Sequence, residues 1–63
     1  MMFCVFNYND EKWVTGIRKN AFQMSKYKCD ALLFPTADVA VHFLAVLKSL
    51  YPDVLFSIIR FSE

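Results

Sequence analysis

Apolar and polar positions along this chain alternate, shift to a helical period, and then alternate again. Residues 2–8 read as a strand, with Phe3 and Val5 on one face and Met2, Cys4, Phe6 and Tyr8 on the other. Asn9, Asp10, Glu11 and Lys12 form a polar stretch of reversal-prone types. Residues 13–17 then resume a β-prone run, so a hairpin is predicted. Gly16 is the chain's only glycine; inside a strand pattern it predicts a bulge or a close backbone approach.

Residues 18–30 are less decided by pattern. Phe22, Met24 and Lys26 alternate with Ala21, Gln23, Ser25 and Tyr27, which favours an extended segment, with a short helical turn or a loop as alternatives over 19–29. Residues 31–34 form a second short apolar run, read as a strand ended by Pro35, because proline lacks a donor and biases its predecessor toward extended geometry.

Thr36 is a good N-cap, and Asp38 in the first turn complements the helix dipole. A helix is predicted from Ala37 to about Tyr51, where Pro52 stops it. Its main stripe is Ala40, Phe43, Leu44, Leu47, Leu50 and Tyr51; Asp38, His42, Ala45 and Ser49 lie opposite, and Val39, Val41 and Val46 widen the apolar arc. After a turn at Pro52 and Asp53, residues 54–61 form a last strand. Val54, Phe56, Ile58 and Arg60 share one face, and Leu55, Ser57, Ile59 and Phe61 the other. Both faces are largely apolar, as in a strand covered on both sides.

The predicted architecture is α+β: a small, mostly antiparallel sheet of three to four strands with one helix on one face, residues 1–63 forming one domain. If the helix joins parallel neighbours, its crossover is right-handed. The stretch Ala31-x-x-Phe34-x-Thr36-x-x-x-Ala40-x-x-Phe43, with Tyr51-Pro52-Asp53 after it, resembles a strand-to-helix turn that recurs in small phage and bacterial proteins. That resemblance implies an architecture and a phage or mobile-element origin, and it carries no functional residue with it.

Composition sharpens the picture. Apolar types make up 57% of 63 residues, above the usual share of roughly 45–50%. A single helix covers one face of a small sheet, so the other face should stay partly apolar and meet a second molecule, either another copy or a foreign partner. Two cysteines do not build a disulfide framework; Cys4 and Cys29 are expected as buried free thiols of a reducing compartment. A structural zinc needs about four nitrogen or sulfur ligands. Cys4, Cys29 and His42 are the only soft candidates, so neither a metal nor a cofactor is expected. The net charge of +1 argues against a DNA mimic and against a general polyanion binder. The N-terminus lacks the pattern of a signal peptide, and the apolar run 39–47 is too short to span a bilayer. A cytoplasmic protein without membrane association is expected, in the host cytoplasm if phage-encoded.

His42 follows Asp38 by four residues, a spacing at which a carboxylate can orient a base, yet one helix face offers no substrate pocket. Lys26 and Lys28 precede Cys29 and would favour its reactivity if it is exposed. One glycine rules out the glycine-rich phosphate and nucleophile motifs. The acids Asp10, Glu11, Asp30, Asp38, Asp53 and Glu63 are scattered. No enzyme is expected.

The remaining signal is the basic segment 18–28. Arg18, Lys19, Lys26 and Lys28 carry four positive charges and no negative ones intervene, with Phe22 and Tyr27 interleaved. With Trp13, these residues are the candidate partner-binding set. The expected function is a non-enzymatic protein-binding module. Its concrete form is a phage or mobile-element inhibitor that occludes a working surface of a host defence or regulatory complex, anti-CRISPR-like or antitoxin-like by a class-level analogy of size and lack of catalytic residues. The partner is a protein or, through the apolar sheet face, a second copy. The alternative is a small nucleic-acid-binding regulator that uses segment 18–28.

Overall fold

The alternating segments pair into a four-stranded antiparallel sheet of order β3-β2-β1-β4, formed by β1 (Met2–Asn7), β2 (Lys12–Arg18), β3 (Ala21–Ser25) and β4 (Phe56–Phe61). One helix, α1 (Ala37–Leu50), packs across one face, giving the α+β architecture read from the sequence. This computed structural model describes residues 2–19 and 21–61; Asn20 of the basic segment and Glu63 lie outside them.

The undecided stretch resolves into two kinds of structure. Ala21–Ser25 is the strand that the alternation favoured, and Lys28–Asp30 is a short 3-10 turn. Arg18 pairs with Ala21, so the reversal between β2 and β3 is tight, and Lys19 takes the left-handed region at φ 53° to make it. The register shifts between Val14 and Gly16, which is the expected bulge. The alternative expectation for Gly16, a close backbone approach, is not met: a Cβ added there would meet nothing within 4 Å.

β1 and β2 pair only near their shared turn, at Phe6–Trp13 and Asn7–Lys12. Beyond that they diverge, and residues 32–34 fill the gap. The Leu32 N–H donates to the Val14 carbonyl of β2 (3.0 Å), while Phe34 exchanges backbone bonds with Phe3 of β1 (2.8 and 2.9 Å). Residues 31–34 are therefore not the strand the sequence predicts. The segment passes obliquely from one strand to the other, and only Phe34 forms a bridge. Phe34 and β4 lie on opposite sides of β1 and are both antiparallel to it. They are thus parallel to each other with β1 between them, so α1 joins parallel segments that are not neighbours.

Thr36 caps α1 as expected, its Oγ1 accepting the Val39 N–H at 3.3 Å. Ala40 and Leu47 are fully buried against Val5, Val14, Phe34 and Phe56, with Phe43, Leu44 and Tyr51 at the margin of this core. Leu50 departs from its expected place. It is exposed because it sits on the side of Val39 and Val46, which are exposed as well. The turn after β1 is anchored by Asn7, which is buried: its Oδ1 accepts the N–H groups of Asn9 (2.9 Å) and Asp10 (3.2 Å).

Candidate interface on the open sheet face

Antiparallel partners point to the same face, so register sorts the side chains. Phe3, Val5, Phe56 and Ile58 face the helix. The other set of partners, Met2 with Phe61, Cys4 with Ile59, and Phe6 with both Ser57 and Trp13, lines the face that α1 leaves open. On this face the rings of Phe6 and Trp13 lie 4.7 Å apart, and Tyr8 sets its ring edge-on to Phe6 at 4.9 Å. Apart from Cys4, which is fully buried, and the exposed Tyr8, these residues are half-buried. The result is a small aromatic surface, neither sealed as a core nor fully open.

The 3-10 turn crosses this face beside β2. Its Lys28 places Nζ 5.5 Å from the Trp13 ring centroid and 5.4 Å from that of Phe61. Both separations are within cation–π range, where a ring's negative face attracts the ammonium. Next to it, Lys26 Nζ lies 5.2 Å from the Tyr27 ring, and Tyr27 is 57% exposed. Positive charge therefore rims the aromatic surface at the end where the chain enters the gap.

Cys4 lies within this face, and its Sγ reaches the Ile59 carbonyl at 3.5 Å. Burial pushes its thiol pKa up, and the Lys28 ammonium partly offsets the shift. Cys29 is exposed, against the expectation of two buried thiols. Its Sγ lies 3.9 Å from Asp30 Oδ1, so a carboxylate stands beside it, while Lys28 turns toward the rings.

The candidate residues divide into three groups. Trp13, Lys26, Tyr27 and Lys28 come together on or beside the open face. Arg18 and Lys19 stand at the opposite end of the β2–β3 hairpin. At a strand rise of about 3.3 Å per residue they are separated from Lys26 by roughly the length of β3, ~13 Å. Phe22 turns to the helix side, its ring 4.4 Å from Tyr51 and 5.3 Å from Phe56. The basic segment is thus not one continuous patch. Phe6, Tyr8 and Phe61 belong to the surface although the basic segment did not point to them. Their shared strand faces were visible as alternation, but only the register places β4 beside β1 and Trp13 beside Phe6.

His42 and Asp38 are both exposed on α1. Among the described residues there is no cavity, no cluster of three or more His, Cys, Asp or Glu side chains that could hold a metal, and no helix long and apolar enough to cross a membrane. Comparison with protein-family models, curated proteins and solved structures gives no match for this chain.

Proposed function

We propose that this chain is a non-enzymatic protein-binding module that works by occlusion, applying the open sheet face to a partner. The observation that carries this is the half-exposed Tyr8–Phe6–Trp13 ring cluster with Lys28 held over Trp13 and Phe61. Aromatic side chains supply much of the energy of protein interfaces, and the strongest anchors are those fully desolvated at the centre of the contact, with polar groups at the rim. Lys26 and Lys28 add a preference for an acidic partner surface, chiefly through association rate and orientation. An inhibitor of phage or mobile-element type, covering a host defence or regulatory complex, is the concrete form of this proposal.

A second proposal is single-stranded nucleic acid as the ligand. It is favoured by the exposed Tyr27 between Lys26 and Lys28, since bases stack on rings while ammonium groups take the phosphates. The separation of Arg18 and Lys19 from that group shortens any phosphate track.

Photo-crosslinking in expressing cells separates the two. A benzophenone side chain placed at Tyr8 or Tyr27 should capture a discrete protein, one at Val41 on the exposed side of α1 should not, and Trp13→Ala should abolish the capture. Equal capture from Val41, or capture indifferent to Trp13→Ala, would end the open-face proposal. Retention on single-stranded DNA or RNA with a steep salt dependence would transfer the surface to nucleic acid.

A further inference from the structure

The two edges of the sheet differ. At the β3 edge, the outward N–H of Phe22 donates to the Tyr51 hydroxyl at 3.1 Å, and the strand is flanked by Lys19 and Lys26. A side-chain partner and flanking lysines are standard protections of an edge. Among the described residues, the β4 edge has no such partner. In an antiparallel ladder, residues alternate between bonding to the neighbour and pointing away from it. Tyr8 donates to Leu55 in line with the β1–β4 register, and Phe3 spends its own N–H and carbonyl on Phe34 at the other side of β1. Ser57, Ile59 and Phe61 therefore bond inward to β1, and Phe56, Ile58 and Arg60 aim their backbone groups outward. Among the described residues, no hydrogen bond reaches these outward groups. The strand, Phe-Ser-Ile-Ile-Arg-Phe, has no proline, no bulge and one charge.

We infer that β4 is a self-pairing edge, and that two copies of this chain join there into one eight-stranded sheet about a two-fold axis. The register follows from the backbone. Outward residues must meet outward residues, and Ile58 opposite Ile58 of the second copy also sets Phe56 opposite Arg60, so all three are used. A shift of two residues in either direction leaves one of them unpaired within the strand. Because Phe56, Ile58 and Arg60 all face the helix side, this pairing keeps both helices on the same side. It also brings Leu55 opposite Phe61 of the second copy on the open face. Leu55 is the most exposed large apolar residue among those described, at 63%, and the pairing gives it an aromatic cover. At the same end of the strand, on the helix side, Arg60 of the second copy comes beside Phe56, a favourable cross-strand pair. Both open faces then lie side by side, doubling the ring-and-lysine surface.

The test is solution mass by light scattering across concentration. The native chain of 7.4 kDa should run at about twice that mass. A synthetic chain carrying an N-methyl group on Ile58 blocks one outward donor and no inward one. It should run as a monomer with an unchanged circular dichroism spectrum. Leu55→Lys alters only an exposed side chain, so it tests the pairing even if the N-methylated chain does not fold; it should weaken dimerisation at least tenfold. A native chain that stays monomeric to millimolar concentration would overturn the inference. So would a dimer indifferent to Leu55→Lys, or one retained by a folded N-methylated chain.

Discussion

The Phe22 backbone N–H donates to the Tyr51 hydroxyl at 3.1 Å, and the same two residues stack edge to face at 4.4 Å. One residue lies on the outer strand of the sheet and the other caps the C-terminus of α1, so the pair ties the outermost strand to the helix. Tyr51→Phe keeps the ring and removes the hydroxyl. It should cost about 1 kcal/mol or slightly more, the usual net value of one such bond with its donor left unpaired. Urea denaturation checks this, and a variant as stable as the native chain would show that the bond contributes nothing.

Asn7 is the buried polar side chain of the core margin, and it is fully used. It accepts from Asn9 and Asp10, and its Nδ2 lies 3.2 Å from Asp10 Oδ2 and 3.0 Å from Met24 Sδ. Asn7→Ala leaves two backbone donors without their acceptor and opens a small void, so a loss of about 2–3 kcal/mol is expected. Asn7→Asp keeps the acceptor but sets a carboxylate against Asp10. Its deficit should shrink as the pH is lowered and the introduced carboxylate is protonated. Thermal melts at two pH values decide the point, and a deficit independent of pH would contradict it.

The two thiols should behave differently. Cys29 is exposed and Cys4 is fully buried, so iodoacetamide should label Cys29 in the native chain and Cys4 only on unfolding. Mass spectrometry of the labelled chain shows which occurred, and equal labelling of both would place Cys4 on an open surface.

The raised thiol pKa of Cys4 also has a pH signature. The folded chain holds that proton more tightly than the unfolded chain. Its contribution is complete below the ordinary thiol value of about 8.5 and falls as pH rises from there through the raised folded value. The stability difference between the native chain and Cys4→Ala should therefore narrow from pH 8 upward. Parallel stability curves would remove the effect.

Gly16 sits at the β2 bulge without a positive φ and with open space where a Cβ would go. Gly16→Ala should be neutral or stabilise by up to about 1 kcal/mol, because it restricts the unfolded chain without straining the folded one. A clear loss in melting temperature would mean that the bulge needs the conformational freedom of glycine.

The sequence by itself determined the features that near neighbours control. Thr36, Asp38 and Pro52 bounded α1 through capping, dipole and proline sterics. The period of two marked β1, β2 and β4, together with the two faces of each, and Gly16 marked the bulge. The clustering of Lys26, Tyr27 and Lys28 was likewise legible, since they are adjacent in the chain. What only the tertiary structure decided depends on pairing over long separations. Residues 31–34 carry a strand-like run, yet Leu32 bonds to β2 and Phe34 to β1, because those strands part and leave donors and acceptors for the segment to satisfy. Phe22 lies between the basic residues in sequence, but the β2–β3 register turns it toward the core, so the basic segment divides. Leu50 shares the helical period of the core but misses the sheet, because the place where α1 crosses it is set by Ala40 and Leu47 against Val5 and Phe56. Local periodicity states which residues can share a face; only the packed sheet states which faces meet, since that choice is made by burial and hydrogen bonding summed over the whole chain.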